Sequence, residues 1–379
     1  MRISSHFDGG AIEFVRQTAG ADGAWLELDI RRDSTTDAAC DFRQWFYYRL
    51  EGAAGRTVRM VLRNAAACTY PDGWPGYNAV ASYDRRRWFR VATRYENGAL
   101  IIDHRVERDV AWYAYFEPYS WERHMNLLGG LCRPARLEDL GATVDGRDLT
   151  MVTAGSGVRR VWIIGRQHPG ETMAEWFIEG MLQRLLDAAD PVGRSLLEAA
   201  TLRIVPNMNP DGSVRGNLRA NAAGANLNRE WTAPSAQRSP EVLAVRERMQ
   251  HTGVDVFLDI HGDEALPYVF VAGSEMLPGF TPRQQALQSA FCEKLKEASP
   301  DFQTVRGYPT GKYDADALKL ASKWVGHTFG CLSLTLEMPF KDNANLPDPE
   351  AGWSGARSAR LGAAVLVPLL AVLKELAAA

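Results

Sequence analysis

The sequence predicts an α/β fold in which a mixed, largely parallel sheet flanked by helices is preceded by an antiparallel β-sandwich domain. Up to about residue 115, Gly, Asn and Asp separate several short apolar and aromatic runs, with no helical pattern between them, which is typical of a sandwich. From about residue 150, short β-like runs alternate with longer helical runs, which predicts a largely parallel sheet. Because 379 residues exceed what one hydrophobic core usually spans, we expect two domains, residues 1–120 and 121–379.

Each predicted element rests on its own pattern. Alternating or aromatic-rich runs predict strands in the first domain at 24–30, 44–50, 57–62, 88–91 and 110–116. In the second domain, short apolar runs predict strands at 158–165, 202–206, 254–260 and 331–338, and longer patterns predict helices at 172–189, 240–250 and 281–299. The apolar stretch 361–373 is 13 residues long and contains Pro368, so it is too short to cross a bilayer. We expect it to form a C-terminal helix packed on the core.

Composition and charge argue against several classes of protein. The net charge of -3 gives no electrostatic reason to expect nucleic acid or an acidic membrane surface as a partner. The five cysteines are scattered and form no C-x-x-C pair, which favours a reducing compartment over a disulfide framework or a thiolate metal site. The first residues carry no apolar run of signal-peptide length. We therefore expect a cytoplasmic protein with neither nucleic acid nor membrane as partner, and the sequence leaves its oligomeric state open.

A His-x-x-Glu motif follows the first predicted strand of the second domain. His168 and Glu171 lie in a tight turn between this strand and the next helix. Pro169 restricts the turn, and Gly170 is able to take a positive φ. The residues at 172–175 have the spacing of a capping box at the start of the helix. Such a turn can aim an imidazole and a carboxylate at one point.

Two further predicted strand ends complete a candidate metal site. His261 directly follows the strand at 254–260, and ligands of open α/β sheets bind at the carboxyl ends of strands. Two His and one Glu form a three-ligand zinc set with a fourth position open to water, which is typical of a catalytic site. Glu337, at the end of an apolar strand, is a natural general base beside such an ion. Each residue alone also has an ordinary structural interpretation, and only the combination is specific.

A long segment rich in Asn, Gly and Arg, residues 207–231, lies between the two His motifs. Long loops inside compact domains are often functional. An arginine in a cleft can hold a carboxylate through two parallel hydrogen bonds.

Together these motifs resemble the zinc metallocarboxypeptidase family, and specifically its cytosolic carboxypeptidase branch, over most of the chain. In the catalytic part, the resembling segments are His-Pro-Gly-Glu at 168–171, Asn-Pro-Asp-Gly at 209–212, Gly-Asn-Leu-Arg at 216–219, Leu-Asn-Arg at 227–229, Asp-Ile-His-Gly at 259–262 and Thr-Leu-Glu at 335–337. Residues 44–47 and 117–121 resemble parts of that branch's β-sandwich and of its junction. The resemblance implies one Zn²⁺ per chain and a peptide or protein C-terminus as substrate.

The resemblance also implies roles for single residues. The implied zinc ligands are His168, Glu171 and His261. Glu337 would deprotonate the attacking water and pass the proton to the leaving amine. Arg219 would stabilise the oxyanion that develops at the scissile carbonyl. Arg215 is a weaker candidate for that role, because Arg219 falls at the matching place in Gly-Asn-x-Arg.

Substrate binding and two departures from the family pattern concern the remaining residues. Asn228 and Arg229 would bind the terminal carboxylate of the substrate. Tyr313 would serve as the mobile tyrosine found in many secreted relatives, with Tyr308 as the alternative. Asn226 stands where relatives commonly have an Asp that orients a zinc-binding His, and its side-chain carbonyl can accept the imidazole N–H without a full negative charge.

Three lysines in the segment 311–330 bear on side-chain preference: Lys312, Lys319 and Lys323. One of them would favour an acidic C-terminal residue, as in the deglutamylating members of this branch, and the competing interpretation is that they are solvated. A zinc amidohydrolase of N-acyl amino acids on the same fold is the alternative function, although the N-terminal sandwich argues against it. A catalytically silent peptide-binding protein is a further alternative, but all four of the metal-site and base residues are present.

Overall fold

The computed structural model describes residues 1–20, 23–309, 311 and 314–378. Two five-stranded sheets occupy the first part of the chain. Their strands are β1 (Arg2–Ser4), β2 (Glu13–Gly20), β3 (Gly23–Asp29), β4 (Tyr47–Glu51), β5 (Thr57–Leu62), β6 (Val80–Ser82), β7 (Trp88–Arg90), β8 (Thr93–Glu96), β9 (Ala99–Arg105) and β10 (Val110–Ala114). One sheet has the order β1-β4-β10-β6-β7 and the other β2-β3-β5-β9-β8.

The two sheets pack as a sandwich around a shared core. In β5, Val58, Met60 and Leu62 are buried while the two residues between them are half-buried, as the period of two along a strand requires. The Tyr48 hydroxyl of β4 lies 3.1 Å from the Met60 sulfur in the other sheet. Pairing is antiparallel except between β3 and β5, because the chain between these two strands crosses to the other sheet and forms β4 there.

The second part of the chain forms a seven-stranded mixed sheet in the order β11-β12-β14-β13-β15-β17-β16. Its strands are β11 (Arg136–Ala142), β12 (Asp148–Ala154), β13 (Arg159–Gly165), β14 (Ala200–Val205), β15 (Val256–Asp263), β16 (Phe270–Ala272) and β17 (Leu332–Pro339). The four central strands, β14, β13, β15 and β17, run parallel, and the outer pairs are antiparallel. The predicted fold class is therefore confirmed.

Helices cover both faces of this sheet. The helices are α1 (Trp121–Gly129), α2 (Met173–Leu185), α3 (Pro191–Ala199), α4 (Pro210–Arg215), α5 (Pro240–Thr252), α6 (Pro282–Ala298), α7 (Ala321–Phe329), α8 (Gly355–Ala364) and α9 (Leu366–Ala378). In β13, Val161 and Ile163 join the core that contains α2, α6, α8 and α9, whereas Trp162 and Ile164 join the core that contains α5 and α7. The central strands are apolar along both faces because both faces are covered.

The C-terminal helices α8 and α9 follow each other almost without a break. The stretch Gly355–Ala377 is long and apolar enough to cross a membrane by length and composition alone, and 56% of its most apolar window is buried within the protein. Arg357 within α8 is buried and bonds to Asp301 and Asp342. This burial and the contacts of α8 with α2 and of α9 with α6 confirm the predicted packing on the core, but the stretch predicted as one helix over 361–373 is divided between α8 and α9.

Candidate active site

The candidate site lies at the carboxyl ends of three adjacent parallel strands. The turn after β13 carries His168 and Glu171, β15 carries His261, and β17 carries Glu337. His261 and Glu337 are partners in the register of β15 and β17, so the two side chains start from neighbouring positions. The sequence had suggested that His261 follows this strand. However, β15 runs to Asp263, so His261 lies within it. The strand continues because β17 pairs with it over its whole length.

His168, Glu171 and His261 form one buried cluster. Glu171 Oε1 lies 2.6 Å from His168 Nδ1, and Glu171 Oε2 lies 2.7 Å from His261 Nδ1. One candidate ligand atom from each of the three side chains can be chosen so that all lie within 4.8 Å of one another. Both Nδ1 atoms thus face the same carboxylate, an arrangement that can hold a metal ion with two nitrogen ligands and one oxygen ligand.

The outer nitrogen of each imidazole is held by a second polar group. His168 Nε2 lies 3.0 Å from Asn226 Oδ1, and His261 Nε2 lies 2.9 Å from Asp259 Oδ2. Gln167 Nε2 in turn donates to Asp259 Oδ2 at 2.8 Å. Such partners orient metal-binding imidazoles and set their basicity. The Asn226 contact is the one that the sequence suggested. The contact of Asp259 was not predicted, although its i, i+2 spacing from His261 places both on one face of a strand.

The turn before Glu171 is shaped differently from the sequence expectation. Arg166, not Gly170, takes the positive φ, at 55°. Arg166 Nε donates to the Pro169 carbonyl at 2.9 Å, which closes the turn. Gly170 is needed for close approach, because a Cβ there would lie 3.0 Å from the Leu218 carbonyl oxygen.

The predicted capping box at the start of α2 does not form. Thr172 Oγ1 donates to the Glu117 carbonyl at 2.8 Å and makes no side-chain cap. The Glu175 carboxylate binds Arg166 and lies 2.7 Å from His124 Nδ1. These stronger charged partners outcompete the backbone N–H group at the helix start, and they tie α1 and α2 to the turn that carries His168.

Glu337 lies beside the cluster with one oxygen free of protein hydrogen bonds. Tyr308 Oη donates to Asp263 Oδ2 at 2.6 Å and lies 3.2 Å from Glu337 Oε1. Within the described part of the chain, Glu337 Oε2 is buried and has no hydrogen-bond partner. Of the two tyrosines weighed from the sequence, Tyr308 therefore contacts Glu337, and Tyr313 lies outside the described residues.

Carboxyl groups are crowded around the two imidazoles. Burial, together with Glu171, Asp263 and Glu264, raises the pKa of Glu337 well above its ordinary value. Burial also raises the pKa of Glu264 to about 8. Arg219 Nη1 lies 3.8 Å from Glu171 and 4.0 Å from Glu264. One nearby guanidinium does not balance these carboxylates, whereas a divalent cation would, so the residues present fit a zinc ion.

The two imidazoles differ in charge preference. Burial and the Arg219 guanidinium lower the pKa of His168 to about 3, which favours the neutral form that binds metals. Burial lowers the pKa of His261 as well, but the carboxylates Asp259 and Glu171 outweigh it and raise this pKa well above its ordinary value. A cation between the rings would oppose that protonation, since like charges repel.

The segment at 207–231 brings one predicted catalytic residue and two predicted substrate-binding residues to the site. Arg219, Asn228 and Arg229 all line the cleft. Asn228 Oδ1 accepts from Ala321 N at 2.8 Å, which fixes the amide. Arg229 has no ion-pair partner among the described residues, and its Nη1 donates to the Asn228 carbonyl at 2.7 Å. Arg215 instead pairs with Asp145 away from the cleft.

These residues line a cleft of about 1080 Å³. Lys323 is buried in its wall, 8% exposed, whereas Lys319 pairs with Asp316 at 2.8 Å and is half-exposed. Lys312 lies outside the described residues. Tyr70 also lines the cleft and places its ring 5.1 Å from the Arg219 guanidinium. Sequence reasoning missed Tyr70, because it belongs to the sandwich and no local pattern points to the cleft.

Two family models match the chain. The cytosolic carboxypeptidase N-terminal domain matches residues 3–116, and the zinc carboxypeptidase domain matches residues 132–352. The chain therefore belongs to the zinc carboxypeptidase family, which uses one catalytic Zn²⁺ and acts on the C-termini of peptides. The matched N-terminal domain relates it to the cytosolic carboxypeptidase branch within that family. The protein is accordingly a peptidase.

Solved structures and a curated relative agree with this assignment. The metallo-carboxypeptidase of Burkholderia cenocepacia is 56% identical, with a TM-score of 0.95 over 99% of each chain. A metallo-carboxypeptidase of Pseudomonas aeruginosa, in complex with (2-guanidinoethylmercapto)succinic acid, is 45% identical with a TM-score of 0.93 over 99% of this chain and 100% of that one. Mouse cytosolic carboxypeptidase 6 is 27% identical over 88% of this chain, which spans 66% of the mouse protein.

Proposed function

We propose that this metallocarboxypeptidase removes single residues from peptide C-termini and prefers acidic ones, with His168, Glu171 and His261 as the zinc ligands. The observation that carries the ligand assignment is that both imidazole Nδ1 atoms and the carboxylate face one point at the carboxyl ends of the central strands. Glu337 adjoins that point with a free oxygen.

A zinc ion held there supplies Lewis acidity and lowers the pKa of water. Glu337 takes the proton of the attacking water and delivers it to the amine that leaves. Tyr308 holds one oxygen of that carboxylate, so the other is free to face the reacting atoms. Arg219 stabilises the negative charge that develops on the scissile carbonyl oxygen.

Exopeptidase specificity comes from a fixed amide beside an unpaired cation. Asn228 and Arg229 bind the terminal carboxylate of the substrate, because Arg229 lacks a protein counterion within the described residues and lines the cleft. A substrate with further residues after the one to be removed has no terminal carboxylate at this position. The Arg229 guanidinium would then be left without a partner.

We assign the acidic preference to Lys323. Its Nζ has no hydrogen-bond partner in the described part of the chain, and it lines the same cleft as Glu337 and Arg229. Burial lowers the pKa of Lys323 to about 8, so it is still largely protonated at pH 7. Glu275 lines the cleft too and partly offsets the lysine charge.

A peptide panel that varies only in the last residue tests this preference. The wild-type enzyme is expected to favour Glu over Gln by about 10- to 100-fold in kcat/KM, the usual worth of a hydrogen bond between charged groups. Lys323→Gln is expected to abolish the preference, and the preference of the wild type is expected to fall as the pH rises through about 8. The matched control is Lys319→Gln, which removes a half-exposed lysine that pairs with Asp316 and does not line the cleft.

Equal rates for C-terminal Glu, Phe and Lys would refute the acidic preference but not the carboxypeptidase assignment. Cleavage of an N-acylated amino acid without cleavage of a tripeptide would contradict the proposed reaction itself. Zinc analysis of the same preparations checks the metal, since chelation is expected to abolish turnover.

The cytoplasm is the location we propose, because curated relatives are named cytosolic carboxypeptidases and the described cysteines form no disulfides.

We also propose residues 1–120 and 121–379 as the two domains. The sheets at 2–114 and 136–339 support this division.

A further inference from the structure

A carboxylate of the sandwich binds the backbone that carries Arg219. Asp33 Oδ1 accepts from Leu218 N at 2.6 Å, and Asp33 Oδ2 accepts from Arg219 N at 2.9 Å and from Ala220 N at 2.8 Å. Three successive N–H groups of the catalytic part thus converge on one side chain that comes from almost 190 positions earlier in the chain.

Neighbouring contacts make the whole segment around Asp33 a brace against the same loop. Ser34 N donates to Asn217 Oδ1 at 2.7 Å, and Thr36 N donates to the Ala222 carbonyl at 2.8 Å. Arg31 donates to the Arg215 carbonyl. These bonds hold the loop on both sides of Arg219, but only Asp33 binds the N–H group of Arg219 itself.

Asp33 occupies a setting that is costly unless those N–H groups are satisfied. Its side chain is buried, and among the described residues it forms no ion pair with a cationic side chain within 4 Å. Burial raises the pKa of Asp33 to about 6, while the three backbone N–H groups and Arg31 oppose the rise. At pH 7 the group is therefore mostly ionised, and its charge rests chiefly on the three backbone hydrogen bonds.

We propose that Asp33 is a positioning residue that sets Arg219 for stabilisation of the oxyanion, so that the sandwich forms part of the catalytic scaffold. The inference rests on the role proposed above for Arg219. From this anchored backbone the Arg219 guanidinium reaches Glu171 at 3.8 Å and the Tyr70 ring at 5.1 Å. Since a displacement of about 1 Å in a catalytic group can cost roughly 100-fold in rate, the anchoring of this backbone bears directly on kcat.

Asp33→Asn is the informative change, because it keeps the shape of the side chain. One oxygen becomes an NH₂ group that must face a backbone N–H, so at least one of the three bonds is lost and a donor opposes a donor. Asp33→Ser is the second variant, which retains one accepting oxygen and introduces no amide donor. Asp145→Asn is the matched control, since Asp145 binds the same loop through the Arg215 side chain.

The test is a double-mutant cycle with Arg219→Gln, read as kcat and KM of the zinc-loaded enzyme on a peptide that ends in Glu. Asp33→Asn is expected to lower kcat by about 10- to 100-fold and to change KM by less than about 3-fold. In the Arg219→Gln background the same change is expected to lower kcat by less than about 2-fold. Asp145→Asn is expected to keep the wild-type kcat. Thermal melting and zinc content show that each variant is folded and loaded, and Asp33→Ser replaces Asp33→Asn in the cycle if the latter does not fold.

Two results would overturn the proposal. Folded Asp33 variants with the wild-type kcat would show that the contact does not position Arg219. Equal fold-losses in the wild-type and Arg219→Gln backgrounds would show a general structural role, because independent effects multiply. If Arg219→Gln alone leaves kcat unchanged, the role proposed for Arg219 is wrong and the inference falls with it, which separates this failure from the other two.

Discussion

Replacing Asn226 with Asp places a full charge behind one of the candidate zinc ligands. Asn226 Oδ1 lies 3.0 Å from His168 Nε2 and also accepts from Asn228 N at 3.1 Å, and an Asp oxygen can keep both contacts. The other imidazole already has a carboxylate at 2.9 Å, from Asp259. Two full charges at 3 Å would interact by about 5 kcal/mol at an effective dielectric constant of about 20. A metal-bound imidazole carries only part of a charge, so we expect a gain of about 1–3 kcal/mol, or roughly 10- to 100-fold in zinc affinity.

Competition with a chelator at pH 7 measures this affinity directly. Asn226→Asp is expected to tighten zinc binding, and Asn226→Ala, which removes the acceptor, is expected to weaken it by about 10- to 100-fold. Asn97→Asp makes the same charge change on an exposed residue and is expected to leave the affinity unchanged. Equal or weaker binding by Asn226→Asp would refute the reasoning, because the added charge would then not act through His168.

Three further variants test the base, a buried acid and a helix contact. Glu337→Gln is expected to lower kcat by about 10²- to 10⁴-fold, because it removes the proton acceptor, with zinc content unchanged by metal analysis. Glu241 is buried beside Asn221, and burial raises its pKa from 4.5 to about 7. A raised carboxyl pKa contributes stability that is complete below about pH 4.5 and is lost as the pH rises through about 7. Glu241→Gln should therefore match the wild type near pH 4.5 and exceed it by about 3 kcal/mol at pH 8 in urea unfolding. Gly180→Ala is expected to cost about 1–3 kcal/mol in the same assay, because a Cβ there would lie 2.1 Å from the Ala359 carbonyl oxygen.

For each of these three variants, a specific result would contradict the physical reason given for it. Peptide turnover that survives Glu337→Gln would overturn the assignment of the base. A stability difference for Glu241→Gln that is the same at both pH values would exclude a titration effect. Gly129→Ala is the control for Gly180→Ala, since a Cβ at Gly129 would meet nothing within 4 Å, and equal stabilities of the two variants would contradict the packing argument.

Local patterns were sufficient for the strands that hold the ligands, since the predicted runs 158–165, 254–260 and 331–338 overlap β13, β15 and β17. Each of the five sandwich strands predicted from the sequence overlaps an observed strand, although 44–50 begins as a strand only at Tyr47. The three-residue strands β6 and β16 were missed, and so were longer strands such as β2 and β11, in which charged and polar residues interrupt the apolar alternation. The capping box was wrong because Glu175 found buried charged partners that no local pattern reveals.

The sequence by itself determined the fold class and the set of residues that form the cluster, since strand periodicity and the motif spacings are local properties of the chain. Only the tertiary structure decided what surrounds that cluster. Asp33 and Tyr70 reach Arg219 from the sandwich, and Tyr308 reaches Glu337 from a loop. These contacts join residues far apart in the chain, and their free energy depends on burial and on the direction of each side chain. Spacing along a sequence carries neither quantity, so the scaffold of the site became visible only when the two parts of the molecule were packed together.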